Sequence, residues 1–214
     1  MTKEEMLARI EQIGIIPAVR VSSAADALFA SRALFRGGIP IVEITMTVPG
    51  AADVIFELTQ ADPQAIVGAG TVLELDMVRS CLDAGATFMT STGLDLEIFE
   101  FAQEHNIPMI PGALTPTEVM MARKAGADFI KIFPCSSAGG ASHIHALKRP
   151  FPNLRLIASG GVTQKTAADF IRAGANAIGV GRDILPADAI RLKNADWIRE
   201  LSRRFLAMVK EARA

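Results

Sequence analysis

Short apolar runs rich in β-branched residues alternate along this chain with longer stretches whose apolar positions recur every three or four residues. The first pattern predicts buried strands and the second amphipathic helices, so the chain reads as a succession of parallel βα units. Eight strands are predicted, near Ile15–Arg20, Ile39–Met46, Ala65–Val72, Thr87–Thr92, Pro108–Leu114, Phe129–Phe133, Arg155–Gly160 and Ala177–Gly181. Several are introduced by one recurrent phrase: Ala84-Gly85-Ala86, Ala125-Gly126-Ala127 and Ala173-Gly174-Ala175, with Gly37-Gly38 as a looser copy. A glycine there ends a helix in the left-handed conformation, and the apolar residues after it enter the next strand. Between the strands, Leu75, Val78 and Leu82 mark one helical face, and Phe99 and Ala102 continue the theme in the next helix.

No Pro/Ser-rich linker or charge block interrupts the pattern, so residues 1–214 are expected to form a single domain. Eight βα units in one domain predict an α/β fold, a (β/α)8 TIM barrel, with an extra N-terminal helix at Lys3–Ile13 covering the barrel bottom. Typical barrels use about 250 residues, so this one is expected to have short helices and lean loops. A doubly wound open sheet is the rival, because it too alternates strand and helix. The last helix, about Asp196–Ala214, carries Arg199, Arg203, Arg204 and Lys210, which read as a solvated face.

Composition narrows the chemistry. Half the residues are hydrophobic and the net charge is -1, so there is no bulk attraction for nucleic acid or an anionic membrane, and any anion must be bound locally. The cysteines, Cys81 and Cys135, are too few for a disulfide framework, and no Cys/His spacing resembles a zinc site. The start reads as lacking a signal peptide and no apolar run reaches a membrane span, so a soluble cytoplasmic protein is expected.

One charge stands out against this background. Lys131 lies in Phe129-Ile130-Lys131-Ile132-Phe133-Pro134, and a lysine on an apolar strand needs a partner or a purpose. An amine taken out of water gives up its proton more readily, and a free amine can attack a carbonyl to form a Schiff base. In a barrel, residues of one parity face the lumen, and chemistry gathers at the C-terminal ends of the strands. By that count Glu43, Thr45 and Thr47 point inward, as does Lys131 with Phe129 and Phe133. Lysine and glutamate can therefore meet, either as a structural ion pair or as a nucleophile beside a general acid/base.

The remaining signals are glycines. Gly68-Ala69-Gly70-Thr71 ends the third strand with small residues and a hydroxyl, a weak signal alone because such turns are common. Ser159-Gly160-Gly161 ends the seventh strand and Gly179-Val180-Gly181-Arg182 the eighth, where barrel enzymes commonly bind phosphate through backbone amides. Arg182 can add a bidentate grip. His143 and His145 lack a third ligand nearby and read as surface histidines, and His105 as a helix-end residue. Cys135 reads as a free thiol at a strand end, and Met120 and Met121 as helix packing.

With Glu43, Gly68-Ala69-Gly70-Thr71, Pro111-Gly112, Lys131-Ile132-Phe133-Pro134 and Gly160-Gly161 in hand, the chain resembles the 2-keto-3-deoxy-6-phosphogluconate (KDPG) aldolases over roughly residues 10–190. The resemblance implies a metal-independent class I aldolase without a cofactor, usually a homotrimer, that releases pyruvate and glyceraldehyde 3-phosphate. Many members also act on 4-hydroxy-2-oxoglutarate, giving pyruvate and glyoxylate, and 2-keto-3-deoxy-6-phosphogalactonate is an alternative substrate. Lys131 matches the Schiff-base lysine, Glu43 the general acid/base and Thr71 the threonine holding the pyruvate carboxylate. Phe133 matches the aromatic beside the lysine, Gly160 and Gly161 the phosphate-loop glycines, and Ser159 a threonine that influences stereochemical preference.

The chain departs from well-known members at three positions. Thr47 replaces an arginine that grips the substrate carboxylate, so that grip must come from Thr71 and backbone amides or from another cation. Thr92 replaces a proline, and Arg182 a serine of the phosphate site. Other relatives share the pattern of Thr45, Thr47, Pro49 and Gly50. Two readings outside the aldolases stay open on the residues alone: a phosphosugar epimerase or isomerase with no covalent adduct, and a non-catalytic phosphate-ligand-binding barrel.

Overall fold

The strands follow the β-branched runs. In the computed structural model, which describes residues 2–214, they are β1 (Ile15–Val19), β2 (Ile41–Thr45), β3 (Ile66–Gly70), β4 (Met89–Thr90), β5 (Met109–Ile110), β6 (Gly112–Ala113), β7 (Ile130–Ile132), β8 (Leu156–Ser159) and β9 (Ala177–Val180). All pair in parallel, in the order β5-β4-β3-β2-β1-β9-β8-β7-β6. The two outer members, β5 and β6, are consecutive in the chain, so the sheet curls into a nearly closed barrel of the (β/α)8 type. Nine segments replace the eight expected because the fifth run breaks at Pro111. Proline has no N–H for the ladder, and the Pro111 carbonyl instead accepts from Lys131 N–H at 2.9 Å.

Helices α2 (Ala24–Arg36), α3 (Ala51–Ala61), α4 (Leu75–Asp83), α5 (Leu96–Glu104), α6 (Pro116–Lys124), α7 (Ala141–Lys148), α8 (Ala167–Arg172), α9 (Ala187–Arg191) and α10 (Ala195–Arg213) surround the strands. The additional α1 (Lys3–Ile13) is present, capped by Thr2, and leads through Gly14 directly into β1 at the N-terminal end of the barrel. The repeated glycines close their helices as expected. Gly38, Gly85, Gly126 and Gly174 all have φ between 80° and 105°, and the next N–H reaches back five residues, as from Ala86 to Cys81 at 2.9 Å.

The core lies between strands and helices, filled by Ile41, Ile44, Ile55, Leu34 and Phe205, all buried. Met120 and Met121 do not join it. Helix α6 buries only Val119 and Ala122, and both methionines are more than half exposed. No helix of the described residues is long and apolar enough to cross a membrane.

Candidate active site

Strand parity places the chemistry. Glu43 pairs laterally with Ala18 on one side and Gly68 on the other, while Lys131 pairs with Gly112 and Ile157, so each stands on the lumen face of its strand. The lumen makes room by omitting side chains. A Cβ on Gly70 would overlap the Glu43 carboxylate, one on Gly68 the Phe88 ring, and one on Gly112 the backbone of Thr92.

Lys131 and Glu43 are only 7% and 4% exposed, and they meet. Lys131 Nζ lies 3.4 and 3.5 Å from the two carboxylate oxygens of Glu43. These contacts are longer than the 2.7–2.9 Å or so of a tight ammonium–carboxylate bond. The shorter links run through a third residue, Thr90, which is 1% exposed: its Oγ1 is 3.1 Å from Lys131 Nζ and 2.9 Å from Glu43 Oε2. The Phe133 ring stands 5.8 Å from the amine, within cation–π range.

These groups open into a cavity of about 720 Å³ at the C-terminal end of the strands. It is lined by Glu43, Lys131, Phe133, Ser159, Gly160, Gly161, Gly181 and Arg182, together with Ala18, Arg20 and Asp183. Gly160 and Gly161 have φ of 87° and 82°. Ser136 fixes their loop: its hydroxyl donates to the Gly161 carbonyl at 2.9 Å and its N–H donates to the Gly160 carbonyl at 3.0 Å. Asp183 accepts from Gln164 N–H at 2.7 Å and so ties the loop after β8 to the loop after β9.

Thr71 and Thr47 fall elsewhere. Thr71 sits just past β3 with φ 60°, a left-handed conformation uncommon for a β-branched residue and costing about 1–3 kcal/mol. Its hydroxyl accepts from Arg20 Nη2 at 3.1 Å, and Arg20 lines the cavity. Thr47 is exposed and does not line it. Strand β2 ends at Thr45, so alternation no longer governs Thr47, whose hydroxyl lies 3.0 Å from that of Thr45.

Two site residues escaped the sequence reading, Arg20 and Thr90. Arg20 looked like an ordinary charge at the end of the first strand. Its parity with Ile16 and Ala18, and its place at the C-terminal end of a barrel strand, were the available signal. Thr90 shares parity with Phe88, whose ring fills the lumen beside Gly68. Burial raises the Cys135 thiol to about 11, so it is protonated and unreactive at neutral pH. His143 Nε2 lies 2.7 Å from the Leu114 carbonyl, and no group of three potential metal ligands gathers among the described residues.

The comparisons with known proteins bear on this constellation. The family described as KDPG and KHG aldolase matches residues 6–201. The chain belongs to that family. The KHG/KDPG aldolase of Escherichia coli K12 is 32% identical over 189 residues, covering 88% of this chain and 89% of that one. A KDPG aldolase structure from Legionella pneumophila, in which pyruvate was captured as a covalent carbinolamine, superposes with TM-score 0.86 at 31% identity, covering 92% of this chain and 96% of that one. A native KDPGal structure follows at TM-score 0.84 and 30% identity, covering 92% and 95%. KDPG and KHG aldolases are lyases that break carbon–carbon bonds by a metal-independent Schiff-base route, and Lys131 and Glu43 sit within the matched span.

Proposed function

We propose that this chain cleaves KDPG to pyruvate and glyceraldehyde 3-phosphate, with Lys131 as the Schiff-base nucleophile and Glu43 as the general acid/base. The observation that carries this reading is the buried amine 3.4 Å from a buried carboxylate, opening into a cavity whose far wall is glycines and Arg182. Lys131 adds to the C2 ketone, and Glu43 supplies and removes the protons that turn the adduct into a protonated imine. That imine withdraws electrons from C3. Glu43 then takes the C4 hydroxyl proton, the C3–C4 bond breaks, and the triose phosphate leaves an enamine of pyruvate on Lys131. Protonation at C3 and hydrolysis release pyruvate.

The ends of the substrate need holding. Arg20 and Thr71 supply the carboxylate grip that Thr47 does not: the guanidinium is a cation, and the threonine hydroxyl, accepting from Arg20, keeps its own proton free to donate. Arg20 and Arg182 form no ion pair among the described residues, which leaves both charges for an anion. The phosphate lies against Gly160, Gly161, Gly181 and Arg182, and Ser159 faces the sugar hydroxyls. Remote binding of this kind orients the breaking bond. An arginine at the phosphate end favours a phosphorylated sugar over 4-hydroxy-2-oxoglutarate. The protein works as a homotrimer, a reading supported by the exposed Phe56, Leu96, Met120 and Met121 on α3, α5 and α6.

Borohydride added with pyruvate should leave a reduced three-carbon adduct on Lys131, and Lys131→Ala should abolish both adduct and turnover. Active protein without an adduct, or an adduct that survives Lys131→Ala, sinks the assignment. Pyruvate release from KDPG, its galactonate epimer and 4-hydroxy-2-oxoglutarate ranks the substrates.

A further inference from the structure

We propose that Thr90 is the proton relay between Lys131 and Glu43, the hydroxyl through which the amine is made nucleophilic and the carboxylate is loaded. The inference rests on the Schiff-base reading of Lys131 and adds a third working residue to it.

The direction of the hydrogen bonds carries the argument. An ammonium has three donors and no acceptor, so across the 3.1 Å contact Lys131 donates and Thr90 accepts. A hydroxyl has one proton, and Thr90 gives it to Glu43 Oε2 at 2.9 Å. Every link therefore points the same way, from Nζ through Oγ1 to Oε2. The direct route between amine and carboxylate is longer, at 3.4 and 3.5 Å. Thr90 also has no freedom to wander. It is buried on the lumen face, its strand neighbour Ile110 fixes it on one side, and its carbonyl accepts from Val72 N–H at 3.1 Å on the other.

The transfer balances as written. One Nζ–H bond breaks and its electron pair stays on nitrogen as the nucleophilic lone pair. That proton bonds to Oγ1, while the proton already on Oγ1 passes to Oε2. Ammonium and carboxylate become amine and carboxylic acid, and the threonine ends as the hydroxyl it was. The amine then attacks the C2 carbonyl, and Glu43 holds the proton that the developing alkoxide needs. A buried hydroxyl serving packing alone requires only one of these two contacts.

The test compares Thr90→Val, which keeps the shape and removes the hydroxyl, with Thr90→Ser, which keeps the hydroxyl. Rapid mixing with pyruvate and quenching in borohydride gives the rate of imine formation by mass spectrometry. Thr90→Val should slow that rate by about 100-fold, the lower end of what a positioned proton donor supplies. The pyruvate concentration at half-maximal rate should hardly move, since Arg20 and Thr71 are intact. Thr90→Ser should recover to within a few-fold of the unsubstituted protein. A proton inventory in mixed H2O and D2O on the unsubstituted protein should bow downward, as two protons in flight require, and this readout stands even if Thr90→Val fails to fold. A linear inventory overturns the relay, as does Thr90→Val at full rate or Thr90→Ser as slow as Thr90→Val. Unsubstituted protein that never traps pyruvate overturns the Schiff-base reading first and the relay with it; trapping that is lost in Lys131→Ala but proceeds at full rate in Thr90→Val leaves that reading standing and removes the relay alone.

Discussion

The two ends of the barrel treat their polar groups in opposite ways. At the N-terminal end, Asn176 and Arg213 each have settled partners. Asn176 uses its side-chain amide to donate to Glu11 at 2.7 Å and its side-chain carbonyl to accept from Leu156 N–H at 3.0 Å, while its backbone pairs with Leu156 and with Arg213. Arg213, from the end of α10, caps the last carbonyls of α1 at Glu11 and Gln12, at 2.6 and 2.9 Å. At the C-terminal end, Lys131 and Glu43 share long contacts, Thr71 is held in a left-handed conformation, and Arg20 and Arg182 line open space. The first arrangement spends polar groups on the fold, and the second keeps them available for a ligand.

Substitutions at the two ends should therefore separate activity from stability. Among side chains outside the Lys131–Glu43 pair, the largest effect is expected at Arg20→Ala. A hydrogen bond to a charged group is worth about 1.5–3 kcal/mol, so KM for the keto acid should rise by about 10- to 100-fold. Steady-state kinetics should show kcat changing far less, as loss of uniform binding requires, and melting temperature should stay put. At the opposite end, Asn176→Ala leaves the Leu156 N–H without its partner and should cost about 1–3 kcal/mol of stability. Urea unfolding should show the loss while kcat per folded molecule is unchanged.

The smallest effect tests whether the comparison holds for the whole active end or only for its cavity. Glu118 closes the capping box of α6, accepting from the N–H groups of Thr115 and Leu114, both at 2.7 Å. Those bonds, Thr115 first, hold its carboxyl below the usual carboxylate range. A carboxyl depressed by folding stabilises above its unfolded value of about 4.3, and the benefit is lost as the pH falls through the folded value. Glu118→Gln should thus flatten the acid side of a stability profile and cost no more than about 1 kcal/mol at pH 7. Any change in kcat would mean that the rim and the cavity are coupled.

Much of this division was legible before any coordinates. The alternation of apolar and polar positions put Lys131 and Glu43 on inward faces of distant strands, and the glycine-rich strand ends put Ser159, Gly160, Gly161, Gly181 and Arg182 around one opening. What alternation cannot supply is the point at which a strand stops obeying it. Thr47 was placed inward by counting past Thr45, where β2 has already ended. Thr71 was expected beside the substrate from resemblance, yet its route to Arg20 depends on a positive φ that no pattern of apolar residues encodes. The break at Pro111 was passed over because the apolar run from Met109 to Leu114 was counted as one strand across the proline. Thr90 was invisible for another reason: a threonine on a strand is ordinary until the two groups it touches are known.

The space beside Glu43 has a consequence for how this barrel can vary. The carboxylate occupies volume that any side chain at Gly70 would claim, and Phe88 does the same at Gly68. A mutation to alanine at either position removes nothing from the cavity and breaks no hydrogen bond, yet Gly70→Ala pushes directly on the proposed base. The reactive geometry is thus set partly by two positions that contribute no functional atom. Among descendants of this chain, drift at Gly68 and Gly70 is open only to changes that move Phe88 or Glu43 at the same time.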